Sequence, residues 1–167
     1  MQALMLGRTL LAERVHDVDR GIDYLQSRGD VDMPRIAVMG NSGGGTTSLF
    51  AAALLPRIAM AMPSSCFCTF RDSILAIRHC ECNYVPRLWH YAEMADIAGL
   101  IAPRPLVLVN GCDDTIFPLA GARRAFRDLK KIYQASGAAS RCHLVVGKGG
   151  HRFYADDAWP VLQKYLS

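Results

Sequence analysis

Four short, unbroken apolar runs are separated by longer stretches of helical period, and that alternation most restricts the folds open to this chain. The runs cover residues 36–39, 58–62, 106–109 and 142–146. A strand covered on both faces reads as a continuous apolar run, whereas a half-exposed strand alternates. Over residues 10–28, Leu11, Val15, Val18, Ile22 and Leu25 recur at spacings of four and three, which is one face of a helix, and Gly29 supplies its stop. Further helices are predicted over 46–55, ended by Pro56, and over 119–136, with Phe126, Leu129, Ile132 and Tyr133 inward. A last helix is predicted over 157–166, with Asp156 as N-cap and Pro160 in the first turn. Pro63 is expected to stop the second strand. Strands alternating with helices of this length imply right-handed crossovers and an α/β fold, a parallel sheet with helices on both faces. The whole chain, 1–167, reads as one domain, with 64–103 as a lid or pocket excursion holding short helices around 71–78 and 91–101.

Composition narrows the function classes. Half the chain is apolar (51%) and 20% is charged, as in a globular protein with a real core. The net charge of +4 is spread out. Its densest cluster, Arg123, Arg124, Arg127, Lys130 and Lys131, is interleaved with core positions on one helix, so it reads as a solvated face. No interleaving of basic and aromatic residues points to nucleic acid, and no apolar run has the eighteen residues of a membrane span. Residues 1–11 are apolar but lack the basic region and cleavage site of a signal peptide, so the expectation is a cytoplasmic location.

The chemistry concentrates at Gly40-Asn41-Ser42-Gly43-Gly44. This G-x-S-x-G pattern follows an apolar strand directly and opens a helix directly. A sharp strand-to-helix turn strains the serine backbone and lifts its hydroxyl clear of the sheet. The helix N-terminus adds free N–H groups where negative charge would develop. The competing reading is a glycine turn with Ser42 as an ordinary N-cap.

Such a serine needs a base. The histidines are His16, His79, His90, His143 and His151. Of these, His151 alone follows a strand directly, through Gly147-Lys148-Gly149-Gly150. In a parallel sheet all carboxyl-terminal strand ends lie on one edge, so Ser42 and His151 would share it. Asp113 and Asp114 follow the third strand and satisfy the order Ser, Asp, His; pattern alone does not choose between them.

The segments GNSGGG, NGCDDTIFP and GKGGHRFYADDAW resemble the acetyl xylan esterase and dienelactone hydrolase-like branch of the α/β hydrolases, over essentially the whole chain. The resemblance implies that the acid lies four residues before the proline of D-x-I-x-P, which selects Asp114, with Ile116 and Pro118. It implies further that Ser42 attacks an ester carbonyl, His151 shuttles the proton, Asp114 orients His151 and the Gly43 N–H is the first oxyanion donor. In that branch several strands precede the elbow strand, and a loop among them supplies a second oxyanion N–H. Here one helix precedes it and no HGGG-like segment is found. The chain therefore looks like the C-terminal portion of a longer hydrolase, with a raw sheet edge and an uncovered apolar face that a homo-oligomer would cover.

Six cysteines remain. Cys66, Cys68, Cys80 and Cys82 form Cys-x-Cys pairs, a spacing too short for the usual zinc site. Free thiols are favoured over a disulfide or a metal. With Asn41 and His79, these four are candidates for the pocket wall. The expectation is a serine carboxylic ester hydrolase for short-acyl esters of small molecules or carbohydrates, without metal or cofactor. The rival readings are a prolyl-oligopeptidase-type serine peptidase and a non-catalytic hydrolase fragment.

Overall fold

In the computed structural model, which describes residues 2–166, the chain forms a four-stranded parallel sheet in the order β1-β2-β3-β4. The elements run α1 (Gln2–Met5), α2 (Leu10–Arg28), β1 (Ala37–Asn41), α3 (Gly43–Leu54), β2 (Met60–Ser64), α4 (Met94–Gly99), β3 (Leu106–Gly111), α5 (Leu119–Ala135), β4 (Cys142–Gly147) and α6 (Ala155–Gln163). The α/β fold expected from the sequence is present, with helices on both faces. None of the described helices is long and apolar enough to cross a membrane.

Period-two alternation in the central strands divides the core. Ala61, Leu106 and Leu108 face the layer of α2, α3, α4 and α5, where Leu11, Ile22, Leu49, Ile97 and Leu129 pack. Met60, Met62, Val107 and Val109 face the opposite side, against Tyr154 and against Ala158 and Leu162 of α6. Because both sides are covered, the central strands are apolar up to Pro63 and Val109, with the polar Ser64 and Asn110 only at their carboxyl ends. β1 forms one edge of the sheet. Its Ile36–Val38 side is packed, but Ala37 and Met39 point to the α6 side and are exposed, Met39 by 42%.

The helices obey local rules. Thr9 caps α2 by accepting from the Ala12 N–H at 3.1 Å, and Gly29 ends it in the left-handed conformation at φ 77°. Arg104 closes the far end of α3, donating to the carbonyls of Ala52, Leu55 and Ile58. Tyr133 of α5 donates to the Arg104 carbonyl at 2.9 Å, which ties α5 to the same corner.

Four expectations are corrected. Pro63 does not stop β2 but lies within it, beside Gly40 of β1. Lacking an N–H, it interrupts the ladder to β3, where pairing is recorded at Ala61–Leu106 and Ser64–Val109 but not between. Residues 71–78 form turns and no helix, and of the helix expected over 91–101 the α-helical part is α4 alone. Glu93 supplies both ends of its start, accepting from the Met94 N–H while Asp96 reaches back to the Glu93 N–H. Finally, α6 begins at Ala155, so Asp156 lies inside it and Pro160 sits beyond the first turn. The buried Tyr154 side chain anchors the helix two residues earlier than the capping pattern suggests.

Leu129 is fully buried between α5 and the sheet, whereas Leu54 is 58% exposed. Leu129→Ala should therefore cost about 2–5 kcal/mol and Leu54→Ala within about 0.5 kcal/mol, as read by urea denaturation.

Candidate active site

All four strands are parallel, so their carboxyl ends face the same way, and the three candidate catalytic residues hang from that edge. Ser42 directly follows β1, Asp114 lies three residues beyond β3 and His151 four beyond β4. Backbone hydrogen bonds extend the ladder into the loops. Ser42 N–H donates to the Ser64 carbonyl at 2.9 Å, Cys112 N–H to Gly147 and Asp113 N–H to Gly149. The His151 loop then crosses β3 toward β2, where the Ser65 hydroxyl donates to the Arg152 carbonyl at 3.2 Å. Neighbouring residues at the end of β2 thus hold the Ser42 turn on one side and the His151 loop on the other.

Ser42 has φ 55° and ψ −121°, a conformation most side chains avoid, and its hydroxyl does not cap α3. Strain of this kind persists only where the surroundings enforce it. Gly40 and Gly45 do the enforcing. A Cβ on Gly40 would overlap the Gly44 carbonyl and approach Ser48 Oγ at 2.9 Å; one on Gly45 would overlap the Ser64 carbonyl. A Cβ on Gly44 would meet open space. The second small residue that the elbow requires is therefore Gly45, one position beyond the G-x-S-x-G pattern.

Asp114 is buried. Its Oδ2 lies 2.9 Å from Nδ1 of His151, and its Oδ1 accepts from the Ile116 and Phe117 N–H groups at 2.9 and 3.0 Å. One carboxylate oxygen is held by the backbone of its own loop and the other is left for the imidazole. Asp113 is exposed. The Phe117 ring stacks on the His151 ring, with centroids 6.0 Å apart and planes at 16°. Asn110 fixes the Phe117 carbonyl in turn. Phe117 was not singled out in the sequence; its place in DTIFP, between the acid and the proline, was the available signal. Gly111 was missed as well: a Cβ there would run into the carbonyls of Gly149 and Gly150, so the His151 loop passes directly over β3.

The remaining candidates separate. Asn41 is exposed and accepts from the Ser64 hydroxyl at 2.9 Å. Cys66 and Cys68 are buried; desolvation pushes both thiols up, Cys68 to about 12. Cys82 is buried beside Gly43, and burial raises its thiol too. Cys80 is exposed. His79 touches the edge of Phe117, its Nε2 lies 3.2 Å from Ser73 Oγ, and burial holds its pKa below the ordinary value. The six cysteines are free thiols, and among the described residues no group of three metal-binding side chains forms.

Comparison with known proteins places this site in context. Residues 7–163 match the prolyl oligopeptidase family. A Bacillus subtilis (strain 168) protein that carries the name of a hydrolase, YtaP, is 32% identical over 174 residues, covering 99% of this chain and 57% of its own. The chain thus spans little more than half the length of that relative. Among solved structures, a carbohydrate esterase family 15 glucuronoyl esterase from Caldicellulosiruptor kristjansonii superposes with a TM-score of 0.72 at 19% identity, over 91% of this chain and 47% of that one. The methylesterase BT1017 superposes with a TM-score of 0.70 at 24% identity, over 91% and 34%. These two likenesses establish the shared fold.

The crowding at the elbow separates two glycines that the motif treats alike. Gly40→Ala should destabilise the fold by roughly 1–3 kcal/mol, as overpacking does. Gly44→Ala should be neutral or stabilising by up to about 1 kcal/mol, because alanine favours the helix. Paired thermal melts check this; equal losses would count against the elbow geometry.

Proposed function

We propose that this chain, which belongs to the prolyl oligopeptidase family, hydrolyses carboxylic esters through an acyl-serine intermediate on Ser42. The observation that carries the reading is the 2.9 Å hydrogen bond between His151 Nδ1 and a buried Asp114 carboxylate, on the same sheet edge as a strained serine whose hydroxyl is free of a capping role.

The chemistry follows from that arrangement. Asp114 accepts the Nδ1 proton of His151, which leaves Nε2 as the base. Ser42 Oγ bonds to the acyl carbon and its proton passes to Nε2. The carbonyl π pair moves to oxygen, and the Gly43 N–H at the start of α3 donates to the resulting oxyanion. The carbonyl re-forms as the alcohol leaves with the proton from His151. A water then repeats the sequence on the acyl-serine and restores the free hydroxyl. Asp114 stays ionised and stabilises the imidazolium formed in between. None of these steps calls on a metal or an organic cofactor.

Support for an ester substrate comes from the resemblance of GNSGGG, NGCDDTIFP and GKGGHRFYADDAW to the acetyl xylan esterase-like branch, and from the two esterase structures that share the fold. On this reading the acyl group is short and the alcohol part is a small molecule or a carbohydrate. The family match favours a second reading, a serine peptidase using the same three residues on an amide. Turnover of an acetyl ester against the matching amide separates the two.

Ser42→Ala should abolish ester turnover, by a factor on the order of 10⁴ to 10⁶, with an unchanged melting curve. It should also end labelling by a fluorophosphonate. Survival of most of kcat/KM in the purified variant would exclude Ser42 as the nucleophile. Asp114→Asn should cost about 10⁴ in kcat, as loss of the orienting carboxylate does elsewhere, whereas the exposed Asp113→Asn should stay within a few-fold. Equal losses in the two variants would reject Asp114 as the acid.

A further inference from the structure

We propose that Arg14, on the first half of α2, is a second, side-chain oxyanion donor and so a further catalytic residue of the reaction. The inference rests on the acyl-serine reading of Ser42. Gly43, whose N–H is the backbone oxyanion donor, has no side chain, and the Arg14 guanidinium takes up the space. A Cβ on Gly43 would lie 3.2 Å from Arg14 Nη1 and 3.4 Å from Cys82 Sγ. A side chain from a different helix therefore stands against the residue where negative charge develops.

What Arg14 does not do is as informative as where it lies. Glu13 beside it is taken by Arg8, and Arg14 forms no ion pair among the described residues. The packing neighbours Leu11 and Val15 bury the root of the same helical turn, so the side chain leaves α2 close to α3. The Cys82 thiol stands beside it, against the same face of Gly43. A cation set beside the N-terminus of a twelve-residue helix is in the wrong field, because that end already carries partial positive charge. An anion between the two removes the conflict. The reaction generates one there: the oxygen of the tetrahedral intermediate, which accepts from Gly43 N–H on one side and from the guanidinium on the other. Arg14 acts only by donating a hydrogen bond while the C=O pair moves onto oxygen and returns.

The test compares the wild-type chain with R14M and R14K on p-nitrophenyl acetate, a neutral ester, and on a matching ester that carries a carboxylate. The expected result is a fall in kcat of about 10² to 10³ in R14M on both esters with little change in KM. R14K should recover part of it. Millimolar guanidinium ion should accelerate R14M but neither the wild type nor R14K. An unchanged kcat in R14M overturns the proposal. So does a loss confined to KM for the carboxylate-bearing ester, which would make Arg14 a reader of substrate charge. A wild-type chain that neither hydrolyses the neutral ester nor reacts with a fluorophosphonate overturns the acyl-serine reading and this inference with it. Labelling without any effect in R14M overturns this inference alone.

Discussion

The close approach of backbone to backbone at the carboxyl edge of the sheet is the constraint on which the rest of this structure depends. Gly40 and Gly45 lie where a Cβ would collide with the chain itself, and Gly111 lies under the carbonyls of Gly149 and Gly150. At Gly147 a Cβ would run into the Tyr154 ring. These contacts let β1 turn into α3 within two residues and let the His151 loop fold across β3. A methyl group at either place would move Ser42 or His151.

Burial then sets the electrostatics of the edge. Asp114 has its side chain fully shielded from solvent, and a polar group in that setting is costly unless it is hydrogen-bonded. Asp114 has three hydrogen bonds, two from its own loop and one from His151. The loop bonds fix the direction of the carboxylate, and the remaining oxygen therefore aims at the imidazole. Phe117 joins the two halves, since its N–H donates to Asp114 while its ring stacks on His151. The thiols nearby behave in the opposite way. Cys66 and Cys68 have no charge partner strong enough to offset desolvation and remain protonated core residues.

The sheet is asymmetric in what covers it. Among the described residues four helices pack on one face, and α6 alone packs on the other, over β2, β3 and β4. Along β1 a groove of about 360 Å³ opens between α2 and the strand, lined by Val18, Gly21, Ile22 and Val38 among others. The same strand that delivers Ser42 to the site is thus the least covered part of the core.

Much of this was legible in the sequence because it depends on local pattern. Unbroken apolar runs marked the buried parallel strands, the three-four spacing marked α2 and α5, and the strand-glycine-serine-glycine-helix succession marked the elbow around Ser42. The order Ser, Asp, His along the chain follows from the order in which parallel strands reach one edge. What the sequence could not decide depends on contacts between distant segments. Pro63 reads as a strand stop, yet the sheet accepts it because β2 is held from both sides and can omit a ladder bond there. Gly44 belongs to the motif and Gly45 lies just outside it, yet the position of the Ser64 carbonyl makes Gly45 the one that must lack a side chain. Asp113 and Asp114 are adjacent and identical in type; the loop buries one against His151 and leaves the other in water. Arg14 is one arginine among many on an amphipathic helix, and only the packing of α2 against α3 sets it beside Gly43. Periodicity is a property of neighbours in the chain and survives in the sequence, whereas the company a side chain keeps across the sheet edge exists only once the chain has folded.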